Sequence, residues 1–364
     1  MLLGRRAGLA PRRSPRISAF WRFVIRRALV VPAQILFVLL LLFLVVVYPT
    51  TIHHHRAPPG FGNLLTDFYQ LVGNDLVGNW GTSNLEAYPG VSWAQLYVYA
   101  LPNSIELGAI SLGLAAAIAY PIGLVTGWSR RPGADLPGRF GSLVLAYVPP
   151  MVIGTLVLSA IFFDFYRTFH DLPDNGLLPS PTWIQNTYGT IPRWIVNDQF
   201  TRPTGLSIVD GTLHHAWAFV EISLIKTLIQ ALVIALVFVA VFLRPIRSAV
   251  FQASQERYIV GARSRGVPER VLLWKHTARR VRPTLLMAFA LAIPTFLAIQ
   301  FTVEAVFADY GIGWLTFLIL TGDGVGGLVP IQAMILLIAI LILVALFVLD
   351  VLAFRLDPRE VRGS

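Results

Sequence analysis

Six long apolar runs constrain this chain more than any other feature of its sequence, at roughly 28–50, 104–128, 140–163, 218–243, 284–307 and 329–354. Each is long enough to cross about 30 Å of hydrocarbon as a helix rising about 1.5 Å per residue. In lipid, every backbone N–H and C=O must find a partner inside the protein, and a helix satisfies its own. A β-barrel would need many short alternating segments, whereas these runs are continuous. Composition agrees. Of 364 residues, 55% are hydrophobic and 13% charged, against about 25% charged in an ordinary soluble domain. Too few polar side chains remain to cover a water-facing surface. The expectation is an all-α integral membrane protein with six transmembrane helices.

The charges between the runs set an orientation. Residues 1–27 carry Arg5, Arg6, Arg12, Arg13, Arg16, Arg22, Arg26 and Arg27 and no acid. The link 129–139 has Arg130, Arg131 and Arg139, and the link 244–283 is densely basic, from Arg244 to Arg282. The tail adds Arg355, Arg359 and Arg362. In the other links, 51–103, 164–217 and 308–328, the basic residues are Arg56, Arg167, Arg193 and Arg202, and most of the acids lie here. The excess of Lys and Arg marks the cytoplasmic side and puts both termini there, as an even number of spans also requires. The net charge of +10 therefore reads as a topology signal rather than as a nucleic-acid surface. Ala28–Tyr48 is longer than the apolar stretch of a signal peptide and no clear small-residue cleavage site follows, so it reads as a retained first span. The chain divides into a basic cytoplasmic arm, 1–27, and a transmembrane domain, 28–364. That domain has an inner segment at 244–283 and outer segments at 51–103 and 164–217.

The sequence contains no cysteine, which excludes disulfides, thiolate metal sites and cysteine nucleophiles. In the outer links, Pro173, Pro179, Pro181, Pro192 and Pro203 rule out one long helix between the third and fourth runs. Trp80, Trp93, Trp183, Trp194 and Trp217 are expected to anchor at the headgroup level, with the lining of an outer vestibule as the alternative.

The inner segment is the most informative. From Gln255 to His276, continuing to Pro283, it reads as two short helices joined by a tight turn. Gly266 fits the left-handed position that ends a helix. Pro268 fits the first position of the next helix, and Glu269 suits its positive end. Tyr258, Ile259 and Ala262 are spaced to share a face. The result is a compact, basic, partly apolar knob suited to a partner's groove. A basic loop that contacts lipid headgroups is the plainer alternative.

The stretch ERYIVGARSRGVPERVLLWKHTARRVRPTL resembles the coupling motif of the dipeptide/oligopeptide/nickel family of ABC-importer permeases, in the B-type subunit. That family's pattern is similar to Tyr-x3-Ala-Arg-x-Lys-Gly, then His, then Pro. Tyr258, Ala262, Arg263, Gly266, His276 and Pro283 match it, and Arg265 stands where Lys is usual. FWRFVIRRALVVPAQILFVLLLLFLV, GNWGTS, LPNSIELGAISLGLAAAIAYPIGLVTG, FTVEAVFADYGIGWL and LDVLAFRLDPR resemble further stretches of the family. The likeness runs from about Phe20 to Arg359, with an extra basic arm and an atypical 164–217 segment as departures.

The resemblance implies a type I importer permease fold. It implies a second, homologous permease, two cytoplasmic ATPase subunits that hold ATP and Mg, and an extracytoplasmic substrate-binding protein. Di- and oligopeptides lead as cargo, with nickel chelates or oligosaccharides as alternatives. The expected ATPase-coupling residues are Glu256, Tyr258, Ala262, Arg263, Arg265, Gly266, Val267, Pro268 and His276. The chain itself is expected to be non-catalytic, with no cofactor. It has no Gly-x4-Gly-Lys-Ser/Thr phosphate loop, the device that cradles nucleotide phosphates.

Weaker signals lie in the runs. Charge in lipid is expensive, so Glu106, Asp164, Glu221, Lys226, Glu304 and Asp350 are candidates for pathway or helix-packing roles. Glu221 and Lys226 are five positions apart and do not stack on one helix face, so Lys226 is expected to partner an acid on a neighbouring span or a peptide terminus. His53, His54 and His55 read as a solvated patch, not a metal relay. Gly322–Gly327 satisfies Gly-x-Gly-x-x-Gly but lacks the strand and helix of a dinucleotide site. A stand-alone channel or ion-coupled carrier is the competing class. It would show internal repeats, of which none is evident, and it gives the inner knob no purpose.

Overall fold

The computed structural model describes residues 15–44, 61–83, 90–128, 152, 156, 204–215, 217–307, 309, 311–321 and 328–356. Nine helices account for nearly all of the described residues. They are α1 (Pro15–Leu42), α2 (Phe61–Val77), α3 (Trp93–Trp128), α4 (Ser207–Leu213), α5 (Trp217–Ser254), α6 (Arg257–Ser264), α7 (Glu269–Val306), α8 (Ile312–Thr321) and α9 (Leu328–Leu356). A single antiparallel bridge, Thr82 to Ser92, is the one β feature among the described residues. Five helices are long and apolar enough to cross a membrane: α1 from Trp21, α3, α5 from Ser223, α7, and α9 over Pro330–Arg355. The expected third span, 140–163, lies outside the described residues except for Val152 and Leu156, both helical.

Helix ends depart from the expected spans in one direction. α1 begins at Pro15, inside the basic arm, because arginine is a good helix former whether or not lipid surrounds it. α3 begins at Trp93 and carries Pro102 and Pro121 within it. Its 36 residues reach about 54 Å, so it projects beyond the hydrocarbon. α5 carries Pro245, and α7 carries Pro283 and Pro294.

The core forms where α3, α5 and α7 meet. Ala115 and Ala119 on α3 and Ala231 and Ala235 on α5 are fully buried there. Small residues let backbones approach closely, which is how helices associate when lipid removes the hydrophobic incentive. Aromatic rings join α5 to α7, with Phe238 edge-on to Phe296 at 5.1 Å and Phe242 to Phe289 at 4.6 Å between centroids. At the periphery α1 meets α9 through an Arg27–Asp350 ion pair at 2.7 Å and a Phe23–Phe354 stack at 4.8 Å. Apolar residues such as Leu29, Leu36 and Leu291 stay exposed on the outer faces.

One expectation fails here. Trp93 is 2% exposed, packed with Tyr97 in a second core cluster, and so is no interface anchor. The cause is local: the Thr82–Ser92 bridge and the Trp93 N–H donating to the Gly81 carbonyl at 3.1 Å fold the preceding loop over the start of α3. Trp217 is 61% exposed, as an anchor would be. Trp80 packs edge-on against Tyr97, and Trp183 and Trp194 lie outside the described residues.

Candidate functional site: the inner knob and the outer polar network

The knob is α6, a tight turn and the beginning of α7. Gly266 has φ +82°, the left-handed conformation that L side chains resist. Its N–H donates to the Arg263 carbonyl at 3.0 Å, and the Val267 N–H to the Ala262 carbonyl at 3.2 Å. This pair of bonds is the Schellman closure, which satisfies the last carbonyls of a helix. Within α6, Ile259 is fully buried while Tyr258 is 46% exposed, so the two do not share one face as the spacing suggested. Partial burial, reinforced by the Glu256 charge, pushes the Tyr258 phenol above its ordinary pKa.

Two further expectations are corrected. Pro268 has ψ 139° and is the N-cap of the next helix rather than its first residue; Glu269 is first. That helix is also not a separate short one. Glu269–Val271 passes through a π-helical turn, Leu272–Thr277, into Ala278–Val306 without a break. The knob is thus continuous with a membrane-length helix of 38 residues, about 57 Å long.

Three contacts fasten the knob. Glu269 accepts from Arg263 Nε at 2.5 Å and Nη2 at 3.2 Å, a two-point fork that spans the turn. The Arg263 guanidinium lies 5.4 Å from the Trp128 ring centroid at the end of α3, a cation–π contact. Glu256 and Arg280 approach to 3.6 Å, linking the start of α6 to α7. The charge pairs are exposed and add little stability each, but together they fix an orientation. Arg265 and His276 are exposed, and Ala262 and Val267 are partly buried. An open groove of about 680 Å³ runs beside the knob, lined by Arg270, Val271, Trp274, Lys275, Arg279 and Arg282.

At the other end of α7 a buried polar network joins three helices. The Glu304 carboxylate is 1% exposed. It accepts from Ser104 Oγ at 3.0 Å, Gln300 Nε2 at 2.8 Å and the Gly313 N–H at 2.7 Å. Ser104 Oγ in turn accepts from the Ile312 N–H at 2.8 Å. Glu304 therefore holds the N-terminus of α8, where unpaired N–H groups favour an anion. Glu106 plays a similar part for α4, accepting from the Ser207 and Ile208 N–H groups at 2.8 and 3.0 Å. Lys226 meets Asp309, beyond the end of α7, at 3.9 Å. Glu221 is exposed on α5. Asp164, His53–His55 and Gly322–Gly327 lie outside the described residues.

Sequence reasoning missed Gln230, Gln300, Ser104 and Asp309. A usable signal was present for two of them: Gln300–Glu304 and Lys226–Gln230 are polar pairs one turn apart in otherwise apolar runs.

Membrane-length helices around an alanine-lined core, with a Schellman-closed knob leading straight into one of them, define a multi-pass membrane transport component. The chain belongs to the family described as the binding-protein-dependent transport system inner membrane component, whose model matches residues 119–362. It is similar to an oligopeptide transport system permease protein of Bacillus subtilis, 24% identical over 294 residues that cover 80% of this chain and 79% of the relative. It is also similar to a di/tripeptide transport system permease protein of Pseudomonas aeruginosa, 25% identical over 81% of this chain and 80% of the relative. A probable D,D-dipeptide transport system permease protein of Escherichia coli is 25% identical over 83% and 81%.

Proposed function

We propose that the chain is one permease half of an ATP-driven importer of di- and oligopeptides, with six spans and both termini in the cytoplasm. Its partners are a homologous second permease, two ATP-binding subunits that carry ATP and Mg, and an extracytoplasmic substrate-binding protein. The similar proteins are named for peptide transport, which puts peptides ahead of nickel chelates and oligosaccharides. The single observation that carries the mechanism is the unbroken helix from the knob to Glu304. A packed helix moves as a rigid element. Closure of the ATPase dimer would shift Glu256, Tyr258, Ala262, Arg263, Arg265, Gly266, Val267, Pro268 and His276 as one body, and α7 would carry that shift to the outer network. The coupling is a bias between two states, set by which of them the ATPases contact better.

Gly266→Leu tests this reading. A Cβ at Gly266 meets nothing within 4 Å, so the fold tolerates it sterically. The φ of +82° makes any side chain strained there, at a cost of about 1–2 kcal/mol, and the new side chain projects from the knob. Expected are normal membrane insertion and normal recovery of the full complex, with substrate-stimulated ATP hydrolysis and uptake reduced about tenfold or more. Uptake at the wild-type rate would count against the knob as the coupling element. Recovery of the chain as a self-sufficient transporting homo-oligomer would favour a carrier instead.

A further inference from the structure

Polar side chains within an apolar helix are costly unless partnered. Lys226 and Gln230 stand one turn apart on α5 and share a face. That face meets Asp309. Lys226 Nζ and Asp309 Oδ1 are 3.9 Å apart, within charge attraction but beyond hydrogen-bond range. Gln230 is 0% exposed and lies beside the Asp309 carboxylate. Neither amide atom of Gln230 makes a hydrogen bond of good geometry. Leucine would serve packing better at such a position, so the amide is there for another reason.

Neighbouring acids are engaged elsewhere. Glu106 is held by Ser207 and Ile208, Glu304 by Ser104, Gln300 and Gly313, and Asp210 Oδ1 accepts from the Thr204 N–H and Oγ1 at 3.1 and 2.6 Å. Lys226, Gln230 and Asp309 keep unused donors and acceptors. We propose that these three form a docking site for the charged termini of a small zwitterionic peptide, the carboxylate on Lys226 and Gln230 and the ammonium on Asp309. The inference rests on the peptide-import reading and names where, within this half, peptide ends are held. A lysine beside an aspartate is a dipole without net charge, and a zwitterion aligns against it. Gln230 adds neutral N–H donors for the carboxylate and a carbonyl for the ammonium. Lys226 retains 31% side-chain exposure and Asp309 13%, so an incoming group reaches Lys226 first, and Gln230, fully enclosed, is met only when the side chains part. With cytoplasmic termini the site lies toward the outer ends of α5 and α7, on the side where substrate arrives.

The test is uptake by the reconstituted importer, using dialanine, its C-terminal amide and its N-acetyl derivative. In the wild type each cap raises KM. Lys226→Met should raise KM for dialanine about tenfold or more, the worth of one charge-assisted hydrogen bond, and leave KM for the amide unchanged. The preference for a free carboxylate then disappears while kcat stays near wild type. Asp309→Asn should erase the preference for a free amine in the same way. Gln230→Leu keeps the bulk and should weaken the carboxylate preference alone. A Lys226→Met importer that still favours the free carboxylate as the wild type does makes the pair a structural tie and overturns the proposal. Should Lys226→Met fail to assemble, the same ratio in Gln230→Leu decides. Failure of the wild type to carry any of the three peptides sinks the import reading and the site with it, an outcome distinct from a loss confined to the variants.

Discussion

Gly313→Ala is expected to strip most stably folded protein from the membrane fraction, although it adds a single methyl group. Gly313 is the second residue of α8, and a Cβ there would sit 2.4 Å from both the Cα and the carbonyl oxygen of Phe301. Both are backbone atoms of α7, so no rotamer change relieves the clash. α8 must move away, and its N-terminus is where the Gly313 N–H donates to Glu304 at 2.7 Å and the Ile312 N–H donates to Ser104 at 2.8 Å. Overpacking costs about 1–3 kcal/mol, and each buried partner left unpaired adds about 1–3 kcal/mol. With both bonds lost the sum, about 3–9 kcal/mol, is comparable to the whole stability of many domains. Gly113→Ala is the control: it lies within α3 with nothing near its Cβ position, and alanine is the better helix former by about 1 kcal/mol. The check is the yield of monodisperse protein in detergent and its thermal midpoint. A Gly313→Ala protein as stable as Gly113→Ala would mean that α8 does not seat against Phe301.

The membrane class was legible in the sequence because lipid leaves the backbone few options. Five of the six expected runs overlap a membrane-length helix in the described residues. Helix ends were less legible, for a physical reason. The expected first span was cut at Arg27 because charge leaves lipid there, yet the helix itself begins at Pro15. The expected second span was cut after Pro102, yet α3 passes through that proline. The bilayer decides where apolar residues stop, whereas backbone hydrogen bonding decides where a helix stops.

α8 was not anticipated. Its 10 residues are apolar enough for a span but about half the length needed, so they read as part of a link. α2 lies in the outer link 51–103, to which no helix was assigned; it packs Phe68 and Val72 against α1 and α9 residues.

Site residues divide in the same way. Gly266 was legible because a left-handed turn is a local property, written in one residue type. Glu269 was read as a favourable charge at a helix start, but its fork to Arg263 depends on how tightly the turn closes. Long-range partners were beyond reach: Glu106 caps a helix 101 residues away, and Ser104 meets Glu304 across 200. A single sequence shows that a polar residue sits in an apolar run, and thus that it needs a partner, without showing which one.

Glu304→Ala should do more than any other side-chain truncation in the outer network, and the comparison with Glu304→Gln says why. Three donors face this carboxylate: Ser104 Oγ, Gln300 Nε2 and the Gly313 N–H. Gln300 keeps a second acceptor in the Ser104 carbonyl at 2.6 Å, so truncation orphans chiefly Ser104 Oγ and the Gly313 N–H, at a cost of about 2–6 kcal/mol, with a cavity penalty added. Glutamine restores the volume and one acceptor oxygen but turns an N–H₂ group toward donors, so roughly half of that loss should remain. Stability should therefore rank wild type above Gln above Ala, read as the thermal midpoint of the purified protein. If bulk alone mattered, Gln would equal wild type. Transport adds a second axis, because α7 joins Glu304 to the knob without a break. In the assembled importer, and on the proposed coupling through the knob, Glu304→Gln should lower uptake per ATP hydrolysed more than it lowers hydrolysis, since the substitution loosens α8 and leaves the knob unaltered. Equal loss of both activities would reduce Glu304 to a folding residue, and an Ala variant with wild-type midpoint and uptake would remove it from the argument altogether.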